Sequence, residues 1–397
     1  MKTVKRGMAG RCLLALLLLT SLLTLTLASC DLLDYTSGGN GTVTTAVTTA
    51  VTTTAQTPTV PSPSEVTFQQ YLTPEIPTGA GTFAYTAAMA APSVVSVLTE
   101  AYVNTGAGSG VVCYVDGDSG YSYVITNNHV VEGYTAVSVV PYNSSEEITA
   151  EVVGTDWQTD LAVLRIATTA LPAATFGNST ELVVGQQVVA IGNPLGRLGG
   201  TVTDGIIGAL ARRIAVEGVT MTLIQHSAPV SPGNSGGGLF NLYGQLIGIV
   251  NAKSTGSGVE GLGFAIPIDL ALSRVSEIMT KGYVSGTPFL GLTYGTSSLG
   301  VVVSDYLYND ELLSTNQDTL LYGDILASLD GVTIDAVADV RKVLSNVEIG
   351  DSVEAVFYRW KSRGYVKVTV NLIVHEYVPA GEEATPPDDD PGDIEFN

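Results

Sequence analysis

The chain has 397 residues and a formal net charge of −21, with 45% hydrophobic and only 14% charged residues. That length leaves room for two or three domains, and the hydrophobic fraction is enough for a substantial core. The acidic balance argues against nucleic acid as a partner and predicts no basic patch for anionic lipid. Frequent glycine (44 residues) and few stretches with helical periodicity favour a mostly β fold.

The first 30 residues have the pattern of an export signal. Four basic residues accompany an apolar run from 13 to 27, which is too short to span a membrane comfortably. The sequence Leu-Ala-Ser-Cys at 27–30 resembles the bacterial lipobox. The resemblance implies that 1–29 is a lipoprotein signal peptide, that Cys30 is lipidated, and that the protein is an extracytoplasmic cell-membrane lipoprotein of a bacterium. An uncleaved anchor and ordinary signal cleavage are the alternatives.

Two segments of biased composition flank the body of the chain. Residues 30–82 are rich in Thr, Val, Ala and Pro without turn signals, which predicts a disordered tether. Residues 376–397 contain acidic but no basic side chains, which predicts a disordered, solvated tail.

Between these ends, short apolar runs alternate with turns rich in Gly, Asp and Ser. Many short strands at this spacing favour closed β-barrels over a parallel sheet. Residues 268–280 form the first good helical stretch, with Asp269 as its cap and Lys281-Gly282 as its exit. The predicted strands lie at 94–97, 110–115, 121–126, 136–140, 161–166 and 187–191.

A serine lies within a glycine-rich turn, Gly233-Asn234-Ser235-Gly236-Gly237, just before an apolar strand run. The backbone N–H groups of Gly233, Asn234 and Ser235 can point at one spot, an arrangement that suits a nucleophile beside an oxyanion hole. Alone this motif is weak, because such runs are more often plain turns or linkers. The serine motif becomes significant because a histidine and an aspartate lie upstream in fitting sequence contexts.

His129 follows a predicted strand in the sequence TNNHVV, and Asp160 begins a buried-looking strand in TDLAVL. A lone histidine is more often structural, but the chain has only three, which narrows the search for a base. A buried carboxylate is costly without a hydrogen-bonded partner, so Asp160 either caps a turn or orients a histidine. Asp156, in a more polar turn, is the alternative acid.

These residues and several separate motifs carry a family resemblance. The order His129, Asp160, Ser235 is that of chymotrypsin-like proteases. Two further motifs, AIGNPLG and GLGFAIP, occur at 190–196 and 261–267. With them the chain resembles the HtrA (DegP/DegS-like, or peptidase Do) trypsin-like serine proteases that carry one C-terminal PDZ domain.

The resemblance implies a mostly β fold, with a chymotrypsin-like double β-barrel protease domain at 83–283. In this domain Ser235 Oγ would attack the peptide carbonyl, His129 would transfer the proton, and Asp160 would hold the imidazole. The backbone N–H groups of Gly233 and Ser235 would bind the oxyanion. No cofactor and no metal would be needed.

The sequence indicates less about the cleavage preference of the protease and about its activation. Pro229 lies six residues before the serine, where trypsin-like members have an acid, so the resemblance implies small or medium apolar side chains at the cleavage site. The segment 251–253 would line the specificity pocket. The sequence GALARR at 208–213 resembles the start of a loop that relays ligand binding to the oxyanion hole. Arg212 is therefore a candidate activation relay, and a plain surface arginine is the alternative.

A PDZ domain is expected at 286–375. Phe289, Leu290, Gly291 and Leu292 resemble its peptide-carboxylate loop, whose N–H groups would grip a peptide C-terminus while the peptide adds a strand to a sheet edge.

The other elements of this domain are a helix at 339–347 and closing strands at 352–358 and 365–374. Residues 306–322 depart from the family pattern, so the ligand preference stays open.

The implied function is that of a lipid-anchored, extracytoplasmic serine endopeptidase. It would cleave unfolded, mislocalised or C-terminally exposed polypeptides under PDZ control. The resemblance also implies a homotrimer formed around Phe83 and Tyr85, although these aromatics equally fit a tether or an ordinary core. Two alternatives remain open: a processing protease dedicated to one envelope protein, and a non-cleaving peptide-binding or chaperone lipoprotein.

Overall fold

The computed structural model describes residues 81–102, 104–193, 200–252, 262–306 and 320–379. The predicted signal peptide with Cys30, nearly all of the predicted tether and most of the predicted acidic tail lie outside the described residues. Across the described ranges, every helix is too short or too polar to cross a membrane.

Six antiparallel strands form the first barrel. They are β1 (Val94–Glu100), β2 (Thr105–Asp116), β3 (Tyr121–Thr126), β4 (Ala136–Pro141), β5 (Ile148–Asp156) and β6 (Leu161–Ile166). The ring is closed in the order β1-β2-β3-β6-β5-β4. Fully buried Val, Ile and Leu side chains fill its interior, because the strands present an apolar residue inward at every second position.

Seven further strands form the second sheet, and six of them close into a barrel. They are β7 (Thr175–Phe176), β8 (Gln187–Gly192), β9 (Thr201–Val216), β10 (Val219–His226), β11 (Gly238–Asn241), β12 (Gln245–Val250) and β13 (Gly263–Pro267). The order is β11-β8-β9-β10-β13-β12, and β12 also pairs with β11, which closes the ring. The mostly β fold and its two barrels are thus confirmed. The segment 208–213, expected to start a loop, is instead the middle of β9.

Four helices accompany these strands in the described residues: α1 (Phe83–Ala90), α2 (Asn128–Val131), α3 (Ile268–Lys281) and α4 (Val337–Leu344). The exit of α3 is as predicted, because Gly282 adopts φ 82° and donates to Ile278 O. Its predicted cap is wrong. Pro267 occupies the cap position, and Asp269 Oδ2 instead accepts from the backbone N–H of Ser179 at 2.7 Å.

The C-terminal domain, residues 286–379, has its own apolar core. Its strands are β14 (Pro288–Phe289), β15 (Leu292–Ser297), β16 (Gly300–Tyr306), β17 (Ile325–Leu329), β18 (Val332–Thr333), β19 (Ser352–Lys361), β20 (Gly364–Ile373) and β21 (His375–Glu376). The main sheet runs β15-β16-β17-β19-β20, so β15 and β20 are edge strands.

Two predicted boundaries in this domain are wrong. Helix α4 begins at Val337, two residues before the predicted start, because Asp339 Oδ2 accepts the N–H groups of Asp335 and Ala336, each at 3.0 Å. Strand β19 continues past Tyr358 to Lys361, since its hairpin with β20 stays paired to the tip.

Candidate active site

A one-turn helix presents the histidine. Helix α2 begins at Asn128, two residues after the end of β3, and its second residue is His129. The backbone N–H of His129 donates to Asp160 Oδ1 at 2.9 Å, and the imidazole Nδ1 lies 2.7 Å from Asp160 Oδ2. One carboxylate therefore fixes both the start of the helix and the orientation of the ring that the helix carries.

Asp160 is itself tightly held. It is 7% exposed, and its backbone adopts φ 55°, which is uncommon for a residue with a side chain. Its Oδ2 also accepts from Asn251 Nδ2 at 2.8 Å, and its backbone carbonyl accepts from Asn127 Nδ2 and from the N–H of Asn128. The bonds from Asn251 and His129 replace the water that burial removes from the carboxylate.

The alternative acid, Asp156, is not part of this constellation. It is 1% exposed and accepts from Thr159 Oγ1 at 2.5 Å and from the N–H of Gln158 at 3.0 Å. Burial raises its pKa above the usual aspartate value. Asp156 therefore shapes the β5–β6 turn from which Asp160 projects, although the sequence suggested a more polar setting.

A type II β-turn precedes the serine. The N–H of Asn234 donates to Ser231 O at 3.0 Å, and Gly233, the third residue of the turn, has φ 99°. Pro232, the second residue, is confined to negative φ, which leaves type II as the turn type that fits. Such a turn needs glycine in its third position, since other residues are strained there.

Ser109 of β2 ties this turn to the first barrel. Its hydroxyl donates to Gly233 O at 2.7 Å and accepts from the N–H of Asn193 at 2.8 Å. Its own N–H donates to Ser235 O at 2.8 Å. Ser109 is fully buried, so these bonds are shielded from water and fix the serine turn across the junction of the two barrels.

The serine turn packs closely against the strand that leads to the histidine. A Cβ added to Gly236 would lie 2.1 Å from Ser109 O and 3.2 Å from the backbone nitrogen of Asn127. Within the described residues, Ser235 Oγ is not hydrogen-bonded to His129. The structure thus brings Ser235 and the His129–Asp160 pair to one junction with that last contact open.

Two residues were missed by sequence reasoning. Asn251, placed in the specificity pocket by resemblance, instead donates to Asp160, and Ser109 was not considered. No local motif marks either residue, because each acts on a partner about a hundred positions away in the chain. Lys253 lies outside the described residues.

Other predicted site residues lie away from this junction. Arg212 is on the exposed surface of β9, where it faces Leu223 of β10 in register. In the C-terminal domain, Leu290 and Leu292 are buried in the core and Gly291 adopts φ 75°. The Phe289 ring meets Tyr377 edge-on, with ring centroids 5.4 Å apart. No group of three or more potential metal ligands occurs among the residues that the structure describes.

A cavity of about 500 Å³ opens between the two domains. Strand β15 and helix α4 line one side through Leu292, Tyr294 and Val340, and Asn128 and Trp157 line the other. Asn128 directly precedes His129. A ligand in this cavity would therefore touch the helix that carries the histidine.

Double β-barrels with this pair and turn at their junction define the trypsin-like peptidases. The family model described as "Trypsin-like peptidase domain" matches residues 108–249. The serine protease Do-like HtrB of Bacillus subtilis is 40% identical over 272 residues, which cover 61% of this chain and 57% of the relative. The serine protease Do-like HtrA of Lactococcus lactis subsp. cremoris is 34% identical over 281 residues, covering 64% of this chain and 67% of the relative. The chain belongs to the Do-like HtrA family of serine proteases.

Further matches show how much of each protein the similarity covers. The chain spans 57% and 61% of the lengths of the two Bacillus subtilis relatives. A solved structure described as "HtrA-type protease AlgW with tripeptide" is 32% identical with a TM-score of 0.48, covering 75% of this chain and 98% of that chain. A probable periplasmic DegP-like serine endoprotease of Halomonas elongata is 38% identical over 276 residues, covering 66% of this chain and 56% of the relative.

Proposed function

We propose that the protein is a serine endopeptidase that cleaves unfolded or mislocalised polypeptides. Ser235 Oγ attacks the peptide carbonyl, and His129 Nε2 takes its proton and passes it to the leaving amine. Asp160 fixes the imidazole tautomer through Nδ1 and stabilises its charged form. The N–H groups of Gly233 and Ser235, with Asn234 between them, bind the oxyanion.

The observation that carries this proposal is the pair of hydrogen bonds between His129 and Asp160. One carboxylate binds both the backbone N–H of His129, at 2.9 Å, and its ring Nδ1, at 2.7 Å. That geometry leaves Nε2 directed away from Asp160 and available for proton transfer. The proposal requires the open contact between Ser235 and His129 to close when substrate binds, as is common for catalytic hydrogen bonds.

The test is cleavage of an unfolded model protein by the parent chain, Ser235→Ala and Ser145→Ala. Ser145 is an exposed serine of the first barrel and is the matched control. We expect Ser235→Ala to lose at least about 10⁴-fold in kcat and Ser145→Ala to keep the parent rate. Equal rates in all three would exclude Ser235 as nucleophile. A folded parent that cleaves nothing would favour the dedicated processing protease or the non-cleaving binder.

We also propose that residues 286–375 are a PDZ domain that controls the protease. A peptide C-terminus lies along the edge strand β15, opposite α4, with its carboxylate at the loop from Phe289 to Leu292. The interdomain cavity supports this, since β15 and α4 form its wall.

Peptides with apolar C-termini should stimulate cleavage. Gly291→Ala should abolish the stimulation, whereas Gly331→Ala, at nearly the same φ (76° against 75°) and in similarly open space, should not. Equal stimulation in both variants would exclude the loop.

The location and assembly of the protein complete the proposal. It acts outside the cytoplasm, held to the membrane by a lipid on Cys30, and the periplasmic description of the Halomonas elongata relative supports this location. It assembles as a homotrimer around α1, where Tyr85 and Met89 line a surface cavity while Phe83 packs on the core. Arg212 relays ligand binding to the oxyanion hole. Mass spectrometry of the native N-terminus and the mass of the particle in solution test the anchor and the trimer.

A further inference from the structure

The hairpin of β19 and β20 extends beyond the strands that the structure describes beside it. The two strands pair from Ser352↔Ile373 to Lys361↔Gly364. The neighbouring strand β17 pairs with β19 only as far as Tyr358. The tip, residues 359–366, is therefore a two-stranded ribbon that projects past the sheet.

One face of this ribbon carries exposed aromatic rings. Tyr358 is 42%, Trp360 62% and Tyr365 48% exposed. Trp360 and Tyr365 are opposite each other in register, and their rings meet edge-on at 5.0 Å. Lys367 is opposite Tyr358, so all four side chains share a face. Large exposed rings on a projecting tip form an apolar surface that a soluble domain does not need for its own stability.

The same tip holds a cluster of basic residues in an acidic chain. Residues 355–375 contain four of the 17 Lys and Arg residues and none of the 38 acidic residues. Arg359 is bound to Asp324 through two bonds of 2.7 and 2.8 Å. Lys361, Arg363 and Lys367 are exposed and make no ion pair with a described residue. The expectation of no basic patch, drawn from net charge alone, is wrong at this position.

Aromatic rings and basic side chains on one projecting edge match a membrane interface. Trp and Tyr favour the boundary between headgroups and acyl chains, and Lys and Arg bind anionic headgroups. Lysines on an edge strand also prevent pairing with other chains, but that role does not require an exposed tryptophan. An acidic protein is otherwise repelled from an anionic surface, so the cluster would select the face that approaches it.

We propose that the aromatic and basic tip of the β19–β20 hairpin docks on the surface of an anionic phospholipid bilayer. Trp360 and Tyr365 enter the headgroup boundary, and Lys361, Arg363 and Lys367 contact lipid phosphates. This surface is separate from the proteolytic site, and the inference holds whether or not the chain cleaves peptides. Its effect is to fix the C-terminal domain in a set orientation on the membrane.

The experiment uses the full chain reconstituted into vesicles, with Ser235→Ala to prevent self-cleavage. One set of vesicles contains phosphatidylglycerol and the other only phosphatidylcholine, each with lipids brominated near the headgroup as tryptophan quenchers. We expect quenching only in the anionic vesicles, with loss of quenching in high salt. Trp360→Phe retains Trp157, the other of the chain's two tryptophans, and should show no quenching.

Charge variants test the basic residues. Each basic side chain near an anionic surface changes the docked-to-undocked ratio about fivefold, so Lys361→Glu with Arg363→Glu should lower it at least about 25-fold. The matched control is Arg213→Glu with Lys342→Glu, which removes two exposed basic residues outside the tip and should leave quenching unchanged.

Three outcomes would overturn the inference. They are equal quenching in both kinds of vesicle, quenching that persists in Trp360→Phe, and quenching that the two control substitutions abolish as fully. Self-association in detergent that depends on Trp360 would identify the tip as a contact between copies of this chain and would also overturn it.

Discussion

Asp160 combines an unusual backbone with a buried charge. A residue with a side chain at φ 55° costs about 1–3 kcal/mol, and a buried carboxylate costs more unless it is hydrogen-bonded. The donors from His129 and Asn251 offset these terms. Such backbone strain persists where several neighbouring contacts hold the residue in place, and it is common at catalytic sites.

Asn251→Ala should lower kcat by about 10- to 100-fold with little change in KM. The substitution removes one hydrogen bond to a charged acceptor, worth about 1.5–3 kcal/mol, and loosens the carboxylate that orients His129. Peptide-cleavage kinetics measure the effect. Asn346→Ala, an exposed amide on the other domain, is the control. A lower melting temperature with unchanged kcat would show that Asn251 is purely structural.

His226 should make the fold sensitive to acid. It is 1% exposed, and burial lowers its pKa to about 4, although backbone groups of Ala228 and Phe264 act in the opposite direction. Below about pH 6.5 the His226 imidazole binds a proton in the unfolded chain, whereas in the native protein it stays neutral until about pH 4. Stability should therefore fall as the pH drops through this window, by about 2 kcal/mol at pH 5.

Urea unfolding at pH 7 and pH 5 measures this loss in the parent chain and in His226→Leu. The variant should lose about 2 kcal/mol less between the two pH values, whatever its stability at pH 7. Identical losses in both proteins would refute the assignment. Carboxylates add their own losses below pH 5, so the comparison stops there.

At the scale of elements, the turn from Ser231 to Asn234 sets the direction of the N–H groups that we propose bind the oxyanion. A type II turn and a type I turn differ by a reversal of the central peptide, here Pro232–Gly233. In the structure Gly233 O is bound to Ser109, and φ at Gly233 is 99°. The turn is therefore held in the form that glycine permits, with its carbonyl drawn to the first barrel.

Gly233→Ala should lower kcat by about 10²–10³-fold, the cost of one oxyanion donor. Alanine is strained at φ 99° and favours the reversed peptide, which turns the N–H away. Gly350→Ala is the matched control, because Gly350 has φ 97° and open space around its Cβ position. Both variants should lose similar stability, and only the first should lose rate. Equal rates would mean that the Gly233 N–H does not bind the oxyanion.

Sequence patterns predicted five of the six strands of the first barrel, and β8 of the second, because alternating apolar residues mark a strand with one buried face. They missed the length of β9, whose exposed positions include Arg212 and Arg213, and the tip of β19 beyond Tyr358. The tip of β19 is a two-stranded ribbon without a buried face, and exposed or half-buried positions predominate along β9, so the apolar alternation is weak in both. The donors Asn251 and Ser109 were missed for another reason: their partners are distant in sequence, and only the closed barrels bring them together.

At the scale of the molecule, one tryptophan joins the two domains. Trp157, in the β5–β6 turn, packs against the apolar cores of both the barrels and the C-terminal domain. Around it, Arg341 of α4 binds Glu132, which ends the histidine helix, and lies 3.6 Å from Glu217. Glu132 is 41% exposed, so this ion pair is screened by solvent.

Trp157→Ala should separate the unfolding of the two domains, and Arg341→Ala should not. The tryptophan contributes apolar contact worth about 2 kcal/mol at half burial, whereas an exposed ion pair contributes less than about 1 kcal/mol. Differential scanning calorimetry would show two transitions for the first variant and one for the second. Two transitions for Arg341→Ala alone would reverse the assignment and make the ion pair the main link.

A hydrogen bond between α1 and β11 joins two segments that the ribosome synthesises at different times. Thr86 Oγ1 donates to the backbone carbonyl of Asn241, 155 residues further along the chain. A ribosome adds about 5–20 residues per second, so the first helix waits roughly 8 to 30 seconds for its partner. Asp160 likewise waits for Asn251. The buried carboxylate of Asp160 therefore lacks one of its hydrogen-bond donors until the second barrel has been synthesised.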